Sequence, residues 1–384
     1  MQSPFTATGR LWIRPGGALG VALAAVSLIV LAVLQRWGGA QQGPYATLAL
    51  SAGVTEVILS ADGVRAVVVS VTYNLKRSAP ERVITAIDTG SGRILWQRTL
   101  PAQSCCAFPV FSTTPDVEWV AVGGANDVDV FRFAGTHVAR IGLGSGPALN
   151  NVVRIDCDGR RAVAGQTDGR ITAFALGKAG PVWRAHAGAD LLDLALGTNG
   201  EVAASTLEAV VVFSGTPPAP RSRVRIGPAP VVVLAGVDGG FAVAWRGSDE
   251  RVRIGVMDGG RWRWRRLLGR ATVPVLHVDA SGRWIATSDF LGEGAWLVSG
   301  DGQIAWWAPQ TPAAATVAPD GRAVLIVQDR VEVASAGARQ LLWQGRLPGR
   351  AHGVRLGGPV LAVLGSKDVR SVLPDQLWLF RVTP

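Results

Sequence analysis

From residue 41 onward, hydrophobic residues occur in short runs of Val, Ile, Leu and Phe that alternate with polar positions. This alternation, bounded by Gly, Asp, Asn and Ser, is typical of β-strands, and no stretch keeps a helical spacing of apolar residues. The pattern therefore predicts an all-β domain made of many short strands.

A sharp turn recurs along this domain after each of a series of hydrophobic runs. Asn-Gly and Asp-Gly pairs favour such tight hairpins, because they adopt the positive φ that the turns need. The series comprises Asp62-Gly63, Asp116, Asp158-Gly159, Asn199-Gly200, Asp238-Gly239, Ser281-Gly282, Asp320-Gly321 and Gly357-Gly358. Successive turns are 54, 42, 41, 39, 43, 39 and 37 residues apart, which indicates an internal repeat.

A second turn follows each of the first seven at about half a repeat. These turns are Thr89-Gly90, Ala134-Gly135, Ala179-Gly180, Ser214-Gly215, Gly259-Gly260, Ser299-Gly300 and Ala336-Gly337. Tryptophan often comes next, at Trp96, Trp183, Trp262 with Trp264, Trp306 with Trp307, and Trp343. Two hairpins in a unit of about 40 residues predict one four-stranded blade of a β-propeller.

The last repeat lacks one strand, because the chain ends at Pro384 after only two strands beyond Gly357-Gly358. Residues 45–51, "YATLALS", supply a strand at the other end of the domain. Pairing it with the last blade would close the ring and remove two open sheet edges. We therefore predict eight blades over 45–384, or seven if 201–215 ("EVAASTLEAVVVFSG") does not form strands of its own.

One segment does not fit the strand pattern: residues 16–34 are apolar and carry no charge. A helix of this length spans about 28 Å, close to the hydrocarbon core of a bilayer. Positive charges at Arg10 and Arg14 precede it, which predicts a cytoplasmic N-terminus. The expected organisation is a tail at 1–15, a transmembrane helix at 16–34, a linker at 35–44 and an extracytoplasmic or periplasmic propeller. The alternative is a signal peptide cleaved near Gly38-Gly39-Ala40.

The hairpin at 83–97, with an Asp- and Gly-containing turn followed by Trp96, resembles the repeats of pyrroloquinoline-quinone-type (quinoprotein-like) and WD-like propellers. Residues 168–184 carry the same resemblance. The spacing of the turns resembles that of these families over the whole propeller. The residues themselves match the family pattern in only two or three repeats. The resemblance implies a fold rather than an activity, because propellers of this kind include both periplasmic assembly factors that bind proteins and quinone-dependent alcohol dehydrogenases.

Two adjacent cysteines, Cys105 and Cys106, lie in the loop before the second blade. Quinoprotein alcohol dehydrogenases carry a disulfide between adjacent cysteines that packs against their cofactor. The resemblance therefore implies that Cys105 and Cys106 could form such a disulfide. The other interpretations are a disulfide that only stiffens the loop, or two ordinary thiols. The calcium-binding acidic set and the catalytic Asp of those longer enzymes are not found in this sequence, so no cofactor is expected.

The net charge of +10 comes almost wholly from arginine, which is scattered along the chain. Scattered basic residues do not form the clustered footprint of a nucleic-acid-binding protein. The densest basic run, 261–270 ("RWRWRRLLGR"), is a candidate interaction surface formed by Arg261, Trp262, Arg263, Trp264 and Arg265. In a regular strand the two tryptophans would share one face and the three arginines the other. The alternative is an outer blade strand with its tryptophans packed between blades.

Catalytic chemistry has no clear sequence signal here. The four histidines are far apart, and His277 with Asp279 is more typical of a tied turn than of a metal or acid–base pair. Glu56, Arg154, Asp156 and Asp279 are expected to point inward, and a ligand site would require them to converge. The sequence favours a non-catalytic scaffold or accessory subunit that binds other membrane or envelope proteins, and a quinone-dependent dehydrogenase and a ligand-sensing propeller are the alternatives.

Overall fold

The computed structural model describes residues 42–50, 53–74, 79–101, 110–124, 126–144, 152–158, 161–215, 218–270, 274–279, 281–289, 294–308, 313–338, 340–371 and 373–382. The predicted tail and transmembrane helix, most of the linker, and Cys105 with Cys106 lie outside these residues. No helix in the described part of the chain has the length and apolarity to cross a membrane.

The described chain forms eight antiparallel sheets of four strands each. Blade 1 contains β2 (Val54–Leu59), β3 (Arg65–Asn74), β4 (Ala79–Asp88) and β5 (Arg93–Pro101). Blade 2 contains β6 (Phe111–Thr113), β7 (Trp119–Gly123), β8 (Asp127–Arg132) and β9 (His137–Gly142). Blade 3 contains β10 (Val152–Asp158), β11 (Arg161–Gln166), β12 (Arg170–Ala175) and β13 (Pro181–His186).

The next three blades repeat this order. Blade 4 contains β14 (Asp193–Leu196), β15 (Val202–Ser205), β16 (Ala209–Ser214) and β17 (Ala219–Arg225). Blade 5 contains β18 (Val231–Val237), β19 (Gly240–Arg246), β20 (Arg251–Asp258) and β21 (Arg261–Arg270). Blade 6 contains β22 (Pro274–Val278), β23 (Trp284–Asp289), β24 (Ala295–Ser299) and β25 (Ile304–Ala308). Since blade 4 is complete, the prediction of eight blades is confirmed over the seven-bladed alternative.

Blade 7 contains β26 (Ala313–Val317), β27 (Arg322–Val327), β28 (Arg330–Ser335) and β29 (Leu341–Arg346). Blade 8 contains β30 (Arg350–Gly357), β31 (Val360–Ser366), β32 (Gln376–Arg381) and, from the other end of the domain, β1 (Ala46–Ala49). Thr47 pairs with Trp378 and Leu48 with Leu377 in this sheet. The predicted closure of the ring by the N-terminal strand is therefore confirmed.

The hydrophobic core lies between the blades rather than at the centre of the ring. Each large cluster joins residues of two neighbouring blades; one combines Val331 and Trp343 of blade 7 with Val354 and Phe380 of blade 8. The first strands of neighbouring blades contact one another around the axis, and the fourth strands form the periphery. The alternating pattern of the sequence thus buries both faces of each sheet, as stacked blades require.

Within the described residues, the turns of the first series join the first and second strands of a blade, and those of the second series join the third and fourth. Gly159, of the turn Asp158-Gly159, lies outside these residues. The recurring Asp has a local reason. In blade 1, the Asp62 carboxylate accepts hydrogen bonds from Ser60 Oγ at 2.6 Å and from the backbone N–H of Val64 at 3.0 Å. Asp116 is bonded in the same way by Thr114 and by the N–H of Glu118 in blade 2. A short acidic side chain satisfies the turn's own backbone donors.

A one-residue bulge recurs in the fourth strand of seven blades. The extra residues are Leu95, Val138, Val182, Arg221, Arg263, Ala305 and Leu342. In five of these blades the next residue is a tryptophan, namely Trp96, Trp183, Trp264, Trp306 and Trp343. Trp96 donates its Nε1–H to the carbonyl oxygen of Phe133 in blade 2 at 2.6 Å, and Trp264 does the same to Gly300 in blade 6. Each of these two hydrogen bonds therefore connects one blade to the next blade in the ring.

Candidate binding surfaces: the central cavity and the basic outer edge

A cavity of about 400 Å³ lies among the first strands of the blades. Seven of these strands contribute lining residues, and the most numerous of these residues are aliphatic, as at Leu196, Leu234 and Leu276. The polar side chains among them are Asp156, Thr198, His277, Thr316 and Arg355. A volume of this size falls within the range of small-molecule sites in proteins.

Arg355 connects three blades at this cavity. Its Nη2 lies 3.3 Å from Oε1 of Glu56 in blade 1, and its Nη1 lies 3.1 Å from Nε2 of His277 in blade 6. Since a guanidinium group can only donate, Nε2 of His277 is the acceptor and its ring carries the proton on Nδ1. Arg355 of blade 8 thus interacts with the carboxylate of Glu56 and with the neutral imidazole of His277.

The four side chains expected to point inward have different positions. Asp156 lines the cavity, where its Oδ2 also accepts the N–H of Leu196 in the next blade at 2.8 Å. Glu56 is connected to the cavity indirectly, because it forms a salt bridge with the lining residue Arg355. Asp279 is instead a turn residue, because it accepts Ser281 Oγ at 2.6 Å and the N–H of Trp284 at 2.9 Å. The side chain of Arg154 lies outside the described residues.

A second polar cluster lies on blade 2. The buried Asp129 carboxylate accepts Nε of Arg140 at 2.9 Å and lies 3.0 Å from Nε2 of His137. Burial raises the pKa of nearby Asp127, and the charge of Asp129 adds to this effect. Within the described chain, no group of three or more His, Cys, Asp or Glu side chains is arranged to hold a metal ion.

The outermost strands contain arginine but no acidic residue, and the arginines are unevenly distributed among them. Together β1, β5, β9, β13, β17, β21, β25 and β29 contain thirteen arginines and no aspartate or glutamate. Eight of the thirteen lie on the neighbouring strands β17 and β21: Arg221, Arg223, Arg225, Arg261, Arg263, Arg265, Arg266 and Arg270. All eight side chains are exposed, and we call this surface the basic edge.

The basic edge is continuous across the two blades. Arg221 of β17 lies near Gly259 in the turn before β21, and Gly260 of the same turn packs closely against Ser222. Among the described residues, Arg221 is the one arginine of the eight that forms a salt bridge, to Glu201. The positive charge of the other seven is therefore not neutralised by a salt bridge in the described chain.

The structure corrects the expected arrangement of 261–265 on their strand. Because Arg263 is a bulge, Trp262 pairs with Met257 while Trp264 pairs with Val256, so the two tryptophans lie on opposite faces of the sheet. Trp262 stacks on Trp245 with ring centroids 5.2 Å apart, and Trp264 packs with the core shared with blade 6. The arginines consequently occupy both faces, with Arg265 over the Trp262 ring and Arg266 donating to the Gly302 carbonyl.

Sequence reasoning did not identify Arg355, Arg223 or Arg225. Arg355 has no distinguishing motif, and its partners Glu56 and His277 are 299 and 78 residues away along the chain. The run "RSRVR" at 221–225 carried a signal, because Arg223 and Arg225 stand at alternate positions of a strand and project to one side, although Arg221 is a bulge. Only the stacking of blades shows that this run adjoins 261–270.

Comparison with solved structures supports the fold alone. The computationally designed protein Ika8 superposes with a TM-score of 0.63 at 13% identity, covering 89% of this chain and 100% of Ika8. BamB from Moraxella catarrhalis superposes with a TM-score of 0.59 at 12% identity, covering 88% of this chain and 99% of BamB. No protein-family model and no curated protein sequence matches the chain. This chain is therefore an eight-bladed β-propeller that shares its fold, at low sequence identity, with both a designed protein and BamB.

Proposed function

We propose that this protein is a membrane-anchored, extracytoplasmic propeller that docks a partner protein, as a scaffold or accessory subunit of an envelope complex. The observation that carries this proposal is the basic edge, where eight exposed arginines from two blades adjoin without an acidic residue on either strand. Charge of one sign over a continuous surface favours association with a partner of the opposite sign.

Two features support a docking role for this fold. The closed ring leaves β17 and β21 as outer strands that pair with no further strand among the described residues. The ring is completed by β1, which begins about a dozen residues after the apolar segment 16–34. In this proposal that segment is a retained anchor, and a linker so short would hold the propeller close to the bilayer.

Site-specific photo-crosslinking in native membranes tests the proposal. A photoreactive amino acid at Leu267, which is 49% exposed on β21, is expected to capture a discrete partner that mass spectrometry identifies. The matched position is Val182, exposed on the outer strand of blade 3, where capture of the same partner should be weak. Recovery of uncrosslinked protein alone from both positions would contradict a scaffold role.

The central cavity favours a second candidate function, the binding of a small polar molecule. Asp156, His277 and Arg355 present a carboxylate, an imidazole and a guanidinium to one space within an aliphatic lining. Thermal-shift measurements with a panel of small carboxylates and amines test this candidate. A ligand that raises the melting temperature of the wild type but not of Arg355→Met supports it; no shift with any compound of the panel would count against it.

A further inference from the structure

The strand β21 is an unusually long outer strand. It extends over 10 residues, with bulges at Arg263 and Leu268, whereas a typical strand has about 5–6. As the last strand of the order β18-β19-β20-β21, it presents backbone N–H and C=O groups at its outer side. Such an edge is a template for a further strand, and proteins commonly protect it with charged side chains.

The charges on this edge select the strand that can be added. β21 carries five arginines and no acidic residue, so a second copy of the same edge would place like charges opposite one another. A strand rich in Asp or Glu would instead form favourable cross-strand pairs. Because the bulge at Arg263 distributes the arginines over both faces, such pairs are available on each side of the added strand.

The aromatic residues argue against a nucleic acid at this edge. Binding of single strands relies on exposed rings that stack on bases. Here Trp262 is stacked on Trp245, and Trp264 is held by its hydrogen bond to Gly300 at 2.6 Å. A lipid surface would require several apolar side chains to insert, whereas Leu267 is the one large hydrophobic residue of β21 that is strongly exposed.

We infer that β21 is a docking edge that accepts an extended acidic segment of a partner protein as a fifth strand of blade 5. This inference rests on the proposed scaffold function and specifies the chemistry of its partner. Affinity comes from main-chain hydrogen bonds along the edge, and selectivity comes from the arginines. The neighbouring Arg223 and Arg225 of β17 add positive charge beside the same site.

The test uses the full-length protein in detergent and a fluorescein-labelled decapeptide of alternating Glu and Val, with binding measured by fluorescence anisotropy. The double variant Arg263→Glu/Arg265→Glu is expected to bind the peptide about tenfold more weakly, because two attractive cross-strand pairs become repulsive. The matched control, Arg93→Glu/Arg184→Glu, makes the same charge change on the outer strands of blades 1 and 3 and should alter affinity less than about twofold.

The peptide backbone provides the second comparison. The same decapeptide methylated at every peptide nitrogen keeps its charged side chains but has no backbone N–H group on either edge, so it cannot pair with β21 and its binding should be largely lost. Equal binding of both peptides would overturn strand addition, and equal loss in the two double variants would overturn the choice of β21. Tighter binding of a single-stranded oligodeoxynucleotide or of phosphatidylglycerol vesicles than of the peptide would also overturn the inference.

The same variants separate this inference from the proposed function. A crosslinked partner that is retained by Arg263→Glu/Arg265→Glu contradicts the role of β21 and leaves the scaffold function intact. Peptide binding without any crosslinked partner in membranes contradicts the scaffold function instead.

Discussion

Side chains of single residues connect the blades of this propeller to one another, and some of these contacts require a glycine on the neighbouring blade. Gly135, in the turn between β8 and β9, has a φ of +94° and lies against the Trp96 ring of blade 1. A Cβ at this position would lie 3.1 Å from the indole, whose Nε1–H is bonded to Phe133. The glycine is thus required both by its backbone conformation and by the tryptophan.

The change Gly135→Ala is therefore expected to lower the free energy of unfolding by about 1–3 kcal/mol, because it combines an unfavourable φ with a tight contact. The measurement is urea denaturation followed by tryptophan fluorescence. Gly142→Ala in the same blade is the matched control, since a Cβ at that position would have no atom within 4 Å. If both variants were equally stable, the proposed role of the Trp96 contact would be wrong.

Another residue-scale effect concerns His352 on β30. Burial and, to a smaller extent, the charge of Arg350 together lower its pKa to about 4, against the opposing effect of Asp375. Nε2 of His352 lies 3.2 Å from Ser366 Oγ. The unfolded chain, with an ordinary histidine pKa of about 6.5, therefore binds more protons than the folded protein between pH 6.5 and 4.

The folded state should consequently lose stability as the pH falls from about 6.5 to about 4. In His352→Gln, which keeps a hydrogen-bonding group near Ser366, this loss should be smaller. Urea unfolding at pH 7 and pH 5 measures the difference, with His186→Gln at the exposed end of β13 as the control variant. An identical pH dependence in wild type and His352→Gln would contradict the assignment.

At the scale of elements, β1 decides whether the ring closes. Leu48 packs with the core shared by blades 8 and 1, whereas the neighbouring Thr47 is exposed on the other face of the strand. The four residues of β1 therefore present one half-buried apolar face, Ala46 and Leu48, and one exposed face, Thr47 and Ala49.

Leu48→Asp should destabilise the closure by about 2–4 kcal/mol, because it places a carboxylate against an apolar cluster. Thr47→Asp, one residue away on the exposed face, should change stability by less than about 0.5 kcal/mol. Chemical denaturation measures both, and limited proteolysis near residue 45 reports release of the strand. Equal effects of the two substitutions would contradict the pairing of β1 with β32.

At the scale of the whole molecule, Arg355 links blade 8 both to its neighbour, blade 1, and to blade 6, which is not adjacent to it. Its contacts to Glu56 and His277 reach from blade 8 to blades 1 and 6 across the central cavity. The side chains of Arg355 and Glu56 are 25% and 34% exposed, so this pair is less screened than the surface pair of Arg346 and Asp329.

Arg355→Met is expected to lower the free energy of unfolding by about 1–2 kcal/mol, because Glu56 loses its compensating charge. Adding Glu56→Gln to this variant should restore part of the loss, which a double-mutant cycle measures. Arg346→Met, which removes an exposed pair, serves as the comparison and should have an effect under about 0.5 kcal/mol. Strict additivity of the two changes would show that Arg355 and Glu56 are not coupled.

The sequence by itself predicted the propeller, the turns between its strands and the closure by β1, whereas the choice of eight blades over seven needed the complete blade 4 of the structure. It did so because these features depend on local properties that recur along the chain. Alternation of apolar residues selects strands, and an Asp such as Asp62 satisfies the backbone of its own turn. The last repeat has only three strands of its own, and residues 45–51 at the other end of the domain have the pattern of the fourth strand.

Only the tertiary structure decided which distant residues meet. The regular alternation expected for 261–265 was wrong because the bulge at Arg263 moves Trp262 and Trp264 to opposite faces. The position of such a bulge, one residue before the recurring tryptophan, is visible only when the blades are compared in the structure. Likewise, arginines that are scattered in sequence become one surface because each blade places its fourth strand at the periphery. The basic edge and the contacts of Arg355 arise from the circular stacking of blades, which brings together side chains that the linear pattern keeps apart.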